Sequence, residues 1–182
     1  MEYTLKRSKR KTVSVEVRDG EVIVRAPLRM PKRDIAAFVD KHEDWIRKQL
    51  DRSRIQQAKL ENVGKLTEAE LDALYRRAKE YLPDRVRYYA EKLGVSFGRI
   101  TIRCQKTRWG SCSAKKNLNF NCLLMLAPPE VIDSVVVHEV CHLREMNHSK
   151  RFYALVLQLC PDYRARDKWL KENGKLLMAR VP

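Results

Sequence analysis

"DSVVVHEVCHLREMNHSKRF", residues 133–152, holds three of the chain's four histidines, His138, His142 and His148. The stretch opens on an apolar run, "SVVV", and Pro128-Pro129 lies at its N-terminal end, where proline suits the start of a helix. On a helix, residues four apart are separated by about 40° around the axis and about 6 Å along it. His138 and His142 then share one face and one cation. Glu139 is turned about 100° from His138, beside that cation rather than on it. This is the HExxH division of labour of zinc hydrolases, in which the carboxylate takes a proton from a metal-activated water.

A zinc that keeps one position open for water needs a third protein ligand. His148 lies six residues after His142, and a continuous helix would leave it about 120° off the ligand face. The spacing therefore predicts that the helix stops, with Asn147 as a left-handed C-terminal residue and Ser149 capping the next helix. The spacer length matches the pattern HExxHxxGxxH, but Glu145 stands where that pattern has glycine. Cys141 falls between the two helical ligands. It reads as a packing residue, since a fourth protein ligand would close the site. His42 lies on a polar stretch and reads as a surface residue.

Four pieces carry a family likeness: "TRWGSCS" (107–113), the "LNFN" strand after it, "VVVHEVCHL" (135–143) and "NHSKRF" (147–152). In this order and spacing the chain resembles the YgjP-like metallopeptidase family, related to the SprT-like and WLM zinc peptidases. The likeness runs over most of the chain. It implies a zincin-like α+β fold in which a small antiparallel sheet packs on the HExxH helix. It also implies one zinc ion on His138, His142 and His148, with Glu139 as catalytic base.

Upstream of the histidines, "GRITIRCQ" (98–105) and "LNFNCLLML" (118–126) alternate as strands around the turn "KTRWGSCSAKKN". Arg108, at the mouth of the expected cleft, and Asn119 and Asn121, on the second strand, are the candidate substrate contacts. Gly110 is read as the flexible residue of a tight turn and Trp109 as core. If the strand over 118–126 is an exposed edge, it offers an extended peptide a place to add. Downstream, Tyr153 shares helical spacing with Phe152, Leu155 and Val156 and is read as core. Asp162 is expected to cap a last helix that ends near Asn173-Gly174.

Towards the N-terminus, Thr67 and Glu70 form a capping-box pattern for a helix reaching to Leu93, interrupted or kinked at Pro83. Residues 1–66 are expected to form β-strands and a helix that pack on a catalytic domain over 67–182. The strands alternate around an Asp19-Gly20 hairpin turn, and an earlier strand over 2–6 is available to join them. Ile35, Phe38, Val39, Trp45, Ile46 and Leu50 recur at helical spacing, and 51–66 reads as a polar, irregular joint.

A chain of 182 residues is long enough to bury a core. It has no apolar run of membrane-spanning length and no secretory signal pattern. Five cysteines without CxxC pairs suit free thiols in a cytoplasmic protein better than a disulfide framework. The net charge of +15 attracts anions, so a nucleotide or nucleic acid partner stands beside a peptide or protein substrate. Three functions are therefore in play. The first is a zinc peptidase. The second is a metal-dependent nucleotide phosphohydrolase on the same site, although neither a phosphate loop nor an acidic Mg²⁺ cluster is present. The third is a nucleic-acid-associated protein with structural zinc, which would need a fourth ligand.

Overall fold

The computed structural model describes residues 1–182, which fold as two units, Met1–Asn62 and Val63–Pro182.

The first unit contains β1 (Thr4–Ser8), β2 (Ser14–Arg18), β3 (Glu21–Pro27), α1 (Lys32–Lys41) and α2 (Glu43–Glu61). Asp19 and Gly20 adopt φ of 51° and 83°, as a two-residue hairpin between twisted strands requires. They join β2 and β3 antiparallel, and β1 pairs with β3 in parallel, giving the order β1-β3-β2. Arg7 ties this arrangement down by donating to the carbonyls of Pro27, Leu28 and Met30 at 3.0, 2.8 and 2.8 Å. Val22, Val24 and Ala26 bury against Ile35, Val39 and Ile46.

Two expectations fail in this unit. The one helix expected after the strands is two, α1 and α2, broken at His42. Residues 51–61 continue α2 instead of forming an irregular joint. That segment is rich in helix formers, and i,i+4 pairs such as Gln57 to Glu61 at 3.0 Å support a solvated helix.

The second unit opens on α3 (Glu68–Leu93), whose Thr67/Glu70 capping box is formed and whose C-terminus is closed by Gly94 at φ 66°. The helix is continuous through Pro83. The strands β4 (Ile100–Arg103), β5 (Gly110–Cys112) and β6 (Leu118–Asn121) follow, then a 3₁₀ helix (Cys122–Leu126). Three helices complete the chain: α4 (Pro129–Cys141), α5 (Lys150–Leu159) and α6 (Tyr163–Ala179).

The sheet order is β4-β6-β5. β5 and β6 are antiparallel but β4 and β6 are parallel, so the sheet is mixed where an antiparallel one was expected. The strand over 118–126 is also shorter than its alternation predicts. Asn121 Oδ1 accepts from Leu123 N at 3.1 Å and turns the chain into the 3₁₀ helix. β6 is the central strand, with no free edge for a peptide; the edges are β4 and β5.

α4 is apolar nearly all round, as a helix enclosed by its neighbours should be. Val136, Val137 and Val140 are completely buried with Leu82, Val86, Phe120, Leu123 and Phe152. A half-buried ion pair fastens α4 to α3: Arg85 donates to both carboxylate oxygens of Asp133 at 2.7 and 2.6 Å, and Tyr89 adds a bond at 3.1 Å. α6 runs to Ala179, beyond the predicted stop at Asn173-Gly174. Gly174 is a contact residue, not a terminator. A Cβ there would lie 3.1 Å from Cζ2 of Trp109.

Candidate metal centre

His138 and Glu139 lie in the last turn of α4, and His142 is its C-cap. The helix stops earlier than the spacing predicts. The amides of Leu143, Arg144 and Glu145 bond back to the carbonyls of Val140 and Cys141 at 3.0–3.1 Å. This tight turn replaces the left-handed residue expected at Asn147, and only Asp19 and Lys116 among non-glycine residues have positive φ. Ser149 then accepts from Phe152 N at 3.2 Å and starts α5, with His148 just before the cap.

The reversal brings the three rings together. Nε2 of His138 lies 3.2 Å from Nε2 of His142 and 3.1 Å from Nε2 of His148. The ligand atoms of all three lie within 4.8 Å of one another. Phe152 forms the floor, stacked on His142 at 4.5 Å and edge-on to His138 and His148 at 5.0 and 4.9 Å.

The outer nitrogens of two rings have partners, and one of them decides a tautomer. Nδ1 of His142 is 3.0 Å from the carbonyl oxygen of Glu145, an acceptor only, so Nδ1 carries the hydrogen. Nδ1 of His138 is 2.8 Å from the Tyr163 hydroxyl. Burial, reinforced by the other two imidazoles, pushes His138 down to about 4, and burial also lowers His142. Both rings are neutral at pH 7, and the Nδ1 hydrogen of His142 leaves its Nε2 lone pair facing the cluster.

Such a donor set fits a cation. Zinc–imidazole bonds of 2.0–2.1 Å around a tetrahedral ion separate the nitrogens by about 3.4 Å, close to the spacing here. All-nitrogen donors favour zinc over calcium or magnesium. Cys141 is fully buried in the core and outside the cluster.

Glu139 is 6% exposed. Burial pushes its carboxyl up to about 8, against the opposing pull of Arg108. The side chain fits because residue 110 has none. A Cβ on Gly110 would lie 2.7 Å from Cγ and 2.8 Å from Oε1 of Glu139. Gly110 is therefore needed for a close approach within β5, not for the freedom of a turn.

The other anticipated residues divide. Arg108 is exposed. Asn121 is 0% exposed and donates to the carbonyls of Gln105 and Arg108 at 2.7 and 3.1 Å. It holds the 105–109 loop in place and has no surface to offer a substrate. Asn119 donates to Ser111 Oγ at 3.3 Å. Strand alternation puts this pair on the sheet face opposite Gly110, which touches Glu139. Trp109 packs beside Gly174 and also walls a cavity with His138 and Glu139. Tyr153 is 42% exposed, its ring 6.2 Å from that of His148, and is not core. Tyr163 and Asp167, which line cavities beside His138, carried no signal in the sequence, because α6 begins 21 positions after His142.

Residues 11–70 and 61–173 match the family described as YgjP-like, metallopeptidase domain. The chain belongs to that family. A metallopeptidase family implies a metal, typically zinc, and the three-histidine cluster fits one. The architecture is α+β, with α4 in contact with β5.

The UTP pyrophosphatase of Escherichia coli (strain K12) is 33% identical over 58 residues, which make up 32% of this chain and 35% of that protein. The match thus spans about a third of that relative. Two solved structures are similar. Abylysin from Pyrococcus abyssi, a metallopeptidase zymogen, is 19% identical with a TM-score of 0.47, covering 52% of this YgjP-like chain and 96% of its own. Jannalysin from Methanocaldococcus jannaschii, also a metallopeptidase zymogen, is 21% identical with a TM-score of 0.42, covering 50% and 95%. No helix is long and apolar enough to cross a membrane.

Proposed function

We propose that this YgjP-like protein is a zinc-dependent peptidase in which His138, His142 and His148 hold one ion and Glu139 is the general base. Zinc supplies Lewis acidity there and brings the pKa of water towards neutrality. The placement of Glu139 carries the reading. Its buried carboxyl lies against Gly110, one residue from His138. A cation on the neighbouring rings offsets the burial that otherwise keeps this carboxyl protonated, so the carboxylate is available to accept a proton. Glu139 takes the proton of the attacking water and returns it to the leaving amine. The outer contacts, Tyr163 on His138 and the Glu145 carbonyl on His142, fix which ring nitrogen faces inward. β5, an edge strand in contact with α4, is the candidate rail for an extended peptide.

Glu139→Gln is expected to retain zinc and to lose about 10²–10⁴-fold in turnover of an unstructured peptide. A variant that hydrolysed the peptide at the parent rate would remove Glu139 from the mechanism.

A second reading, hydrolysis of a nucleoside triphosphate on the same site, is favoured by the name of the Escherichia coli relative and by the net charge of +15. Offering peptides and nucleoside triphosphates side by side, with and without chelator, separates the two. Chelator-sensitive turnover of only one class assigns the substrate.

A further inference from the structure

His138 is shared by two cavities of unlike chemistry. One, of about 170 Å³, is walled by Trp109, Val135 and Leu170 and reaches Glu139. The other, of about 460 Å³, is lined by His148, Tyr153, Arg164 and Lys171. Tyr163 and Asp167 border both and form the ridge between them.

The larger cavity has a net positive wall. Arg164 and Lys171 are seven positions apart on α6, which puts them within about 20° of one face and about 10 Å apart along it. Lys171 Nζ lies 2.5 Å from Asp167 Oδ2, so this pair is neutralised internally. Arg164 makes no ion pair and leaves the row of three at a formal charge of +1. The smaller cavity offers an indole, a valine and a leucine, and its volume suits a single ring or a branched side chain.

We propose that these cavities form a bipartite substrate groove. The apolar one takes an uncharged ring or branched group, and the cationic one takes an anion on the far side of the histidine cluster. This rests on reading the three histidines as the metal centre, and it adds the class of substrate: an apolar or planar group and an anionic group flanking the scissile bond. A nucleoside phosphate and a peptide with an acidic residue next to an apolar one both have this chemistry.

The test uses the full chain, kept metal-free by chelator, and titrates benzylphosphonate (ring and anion) and inorganic phosphate (anion alone). Benzylphosphonate is expected to bind about tenfold more tightly than phosphate, because its ring has a pocket to enter. Arg164→Ala with Lys171→Ala should weaken both ligands about tenfold. Leu170→Trp, which fills the apolar cavity, should weaken benzylphosphonate and leave phosphate unchanged; Leu170→Phe serves if the tryptophan variant melts early. Lys79→Ala with Lys115→Ala removes the same charge from exposed sites elsewhere in the unit and should change neither.

Equal affinity for the two ligands, unaltered binding in the variants, or an equal loss in the control pair would overturn the proposal. Displacing bound benzylphosphonate with a nucleoside monophosphate and with the dipeptide Phe-Glu identifies the source of the anion, and displacement by neither also overturns it. Zinc content, measured separately by metal analysis, tests the metal reading by itself. A protein that took up no zinc but gave the expected titrations would lose the metal centre and keep the groove.

Discussion

Gly110 and Glu139 are in direct contact across β5 and α4, with room for a hydrogen and none for a methyl group: a Cβ at residue 110 would fall 2.7 Å from Glu139 Cγ. The proposed general base is positioned by a missing side chain.

Gly110→Ala must therefore displace the carboxyl or the strand. A shift of about 1 Å costs about 10²-fold in turnover when geometry sets the rate. Zinc content should stay at the parent level, since the three atoms nearest to that Cβ all belong to Glu139 and none to an imidazole. Steady-state kinetics alongside metal analysis checks both halves, and parent-level turnover would show that the contact is dispensable.

Tyr163→Phe removes the hydroxyl 2.8 Å from His138 Nδ1. Loss of such an outer partner typically weakens metal binding about 10–100-fold. Competition against a chromophoric chelator measures this directly. If zinc affinity did not change, Tyr163 would be a packing residue.

The thiols should react unequally. Cys104 is exposed, whereas burial pushes Cys112 up to about 11 and Cys141 to about 12. Cys122 is also pushed up to about 12, by burial first and by neighbouring Cys104 second. Near pH 7.5 these three are almost wholly protonated, and only the thiolate reacts. Maleimide labelling followed by mass spectrometry should find Cys104 modified first, and the buried thiols only under denaturant. Early labelling of Cys141 would show that α4 opens.

Acid should weaken the start of α3. Bonds from Thr67 hold the Glu70 carboxyl below its ordinary value. A depressed folded-state pKa gives stability that is present above the unfolded value of 4.5 and is lost as pH falls through the folded one. Melting temperatures from pH 7 to pH 3 should fall more steeply in the parent than in Glu70→Gln, which has no carboxyl to titrate; Thr67→Ala would keep the backbone N–H that holds the carboxylate. Parallel curves would remove the capping box from the acid response.

Periodicity and spacing exposed the elements whose causes are local. The Asp19-Gly20 hairpin, the Thr67 capping box, the Pro128-Pro129 helix start and the Ser149 cap each depend on residues within four positions of one another. The two helical imidazoles were legible for the same reason. Asn121 and Tyr153 differ from expectation because strand alternation and helical spacing give a side chain's direction and not what waits there. Asn121 meets two loop carbonyls, and Tyr153 meets the open side of the histidine cluster.

The sequence by itself determined the type of chemistry on offer: an apolar helix ending in HEVCH, a third histidine within reach, and a surplus of positive charge. Only the tertiary structure decided the rest, because the deciding interactions join residues far apart along the chain. Gly110 makes room for Glu139, Tyr163 reaches His138 from α6, and a parallel pairing with β4 puts β6 in the middle of its sheet. Close packing between distant segments selects which small residue and which hydroxyl matter, and no local pattern records that choice.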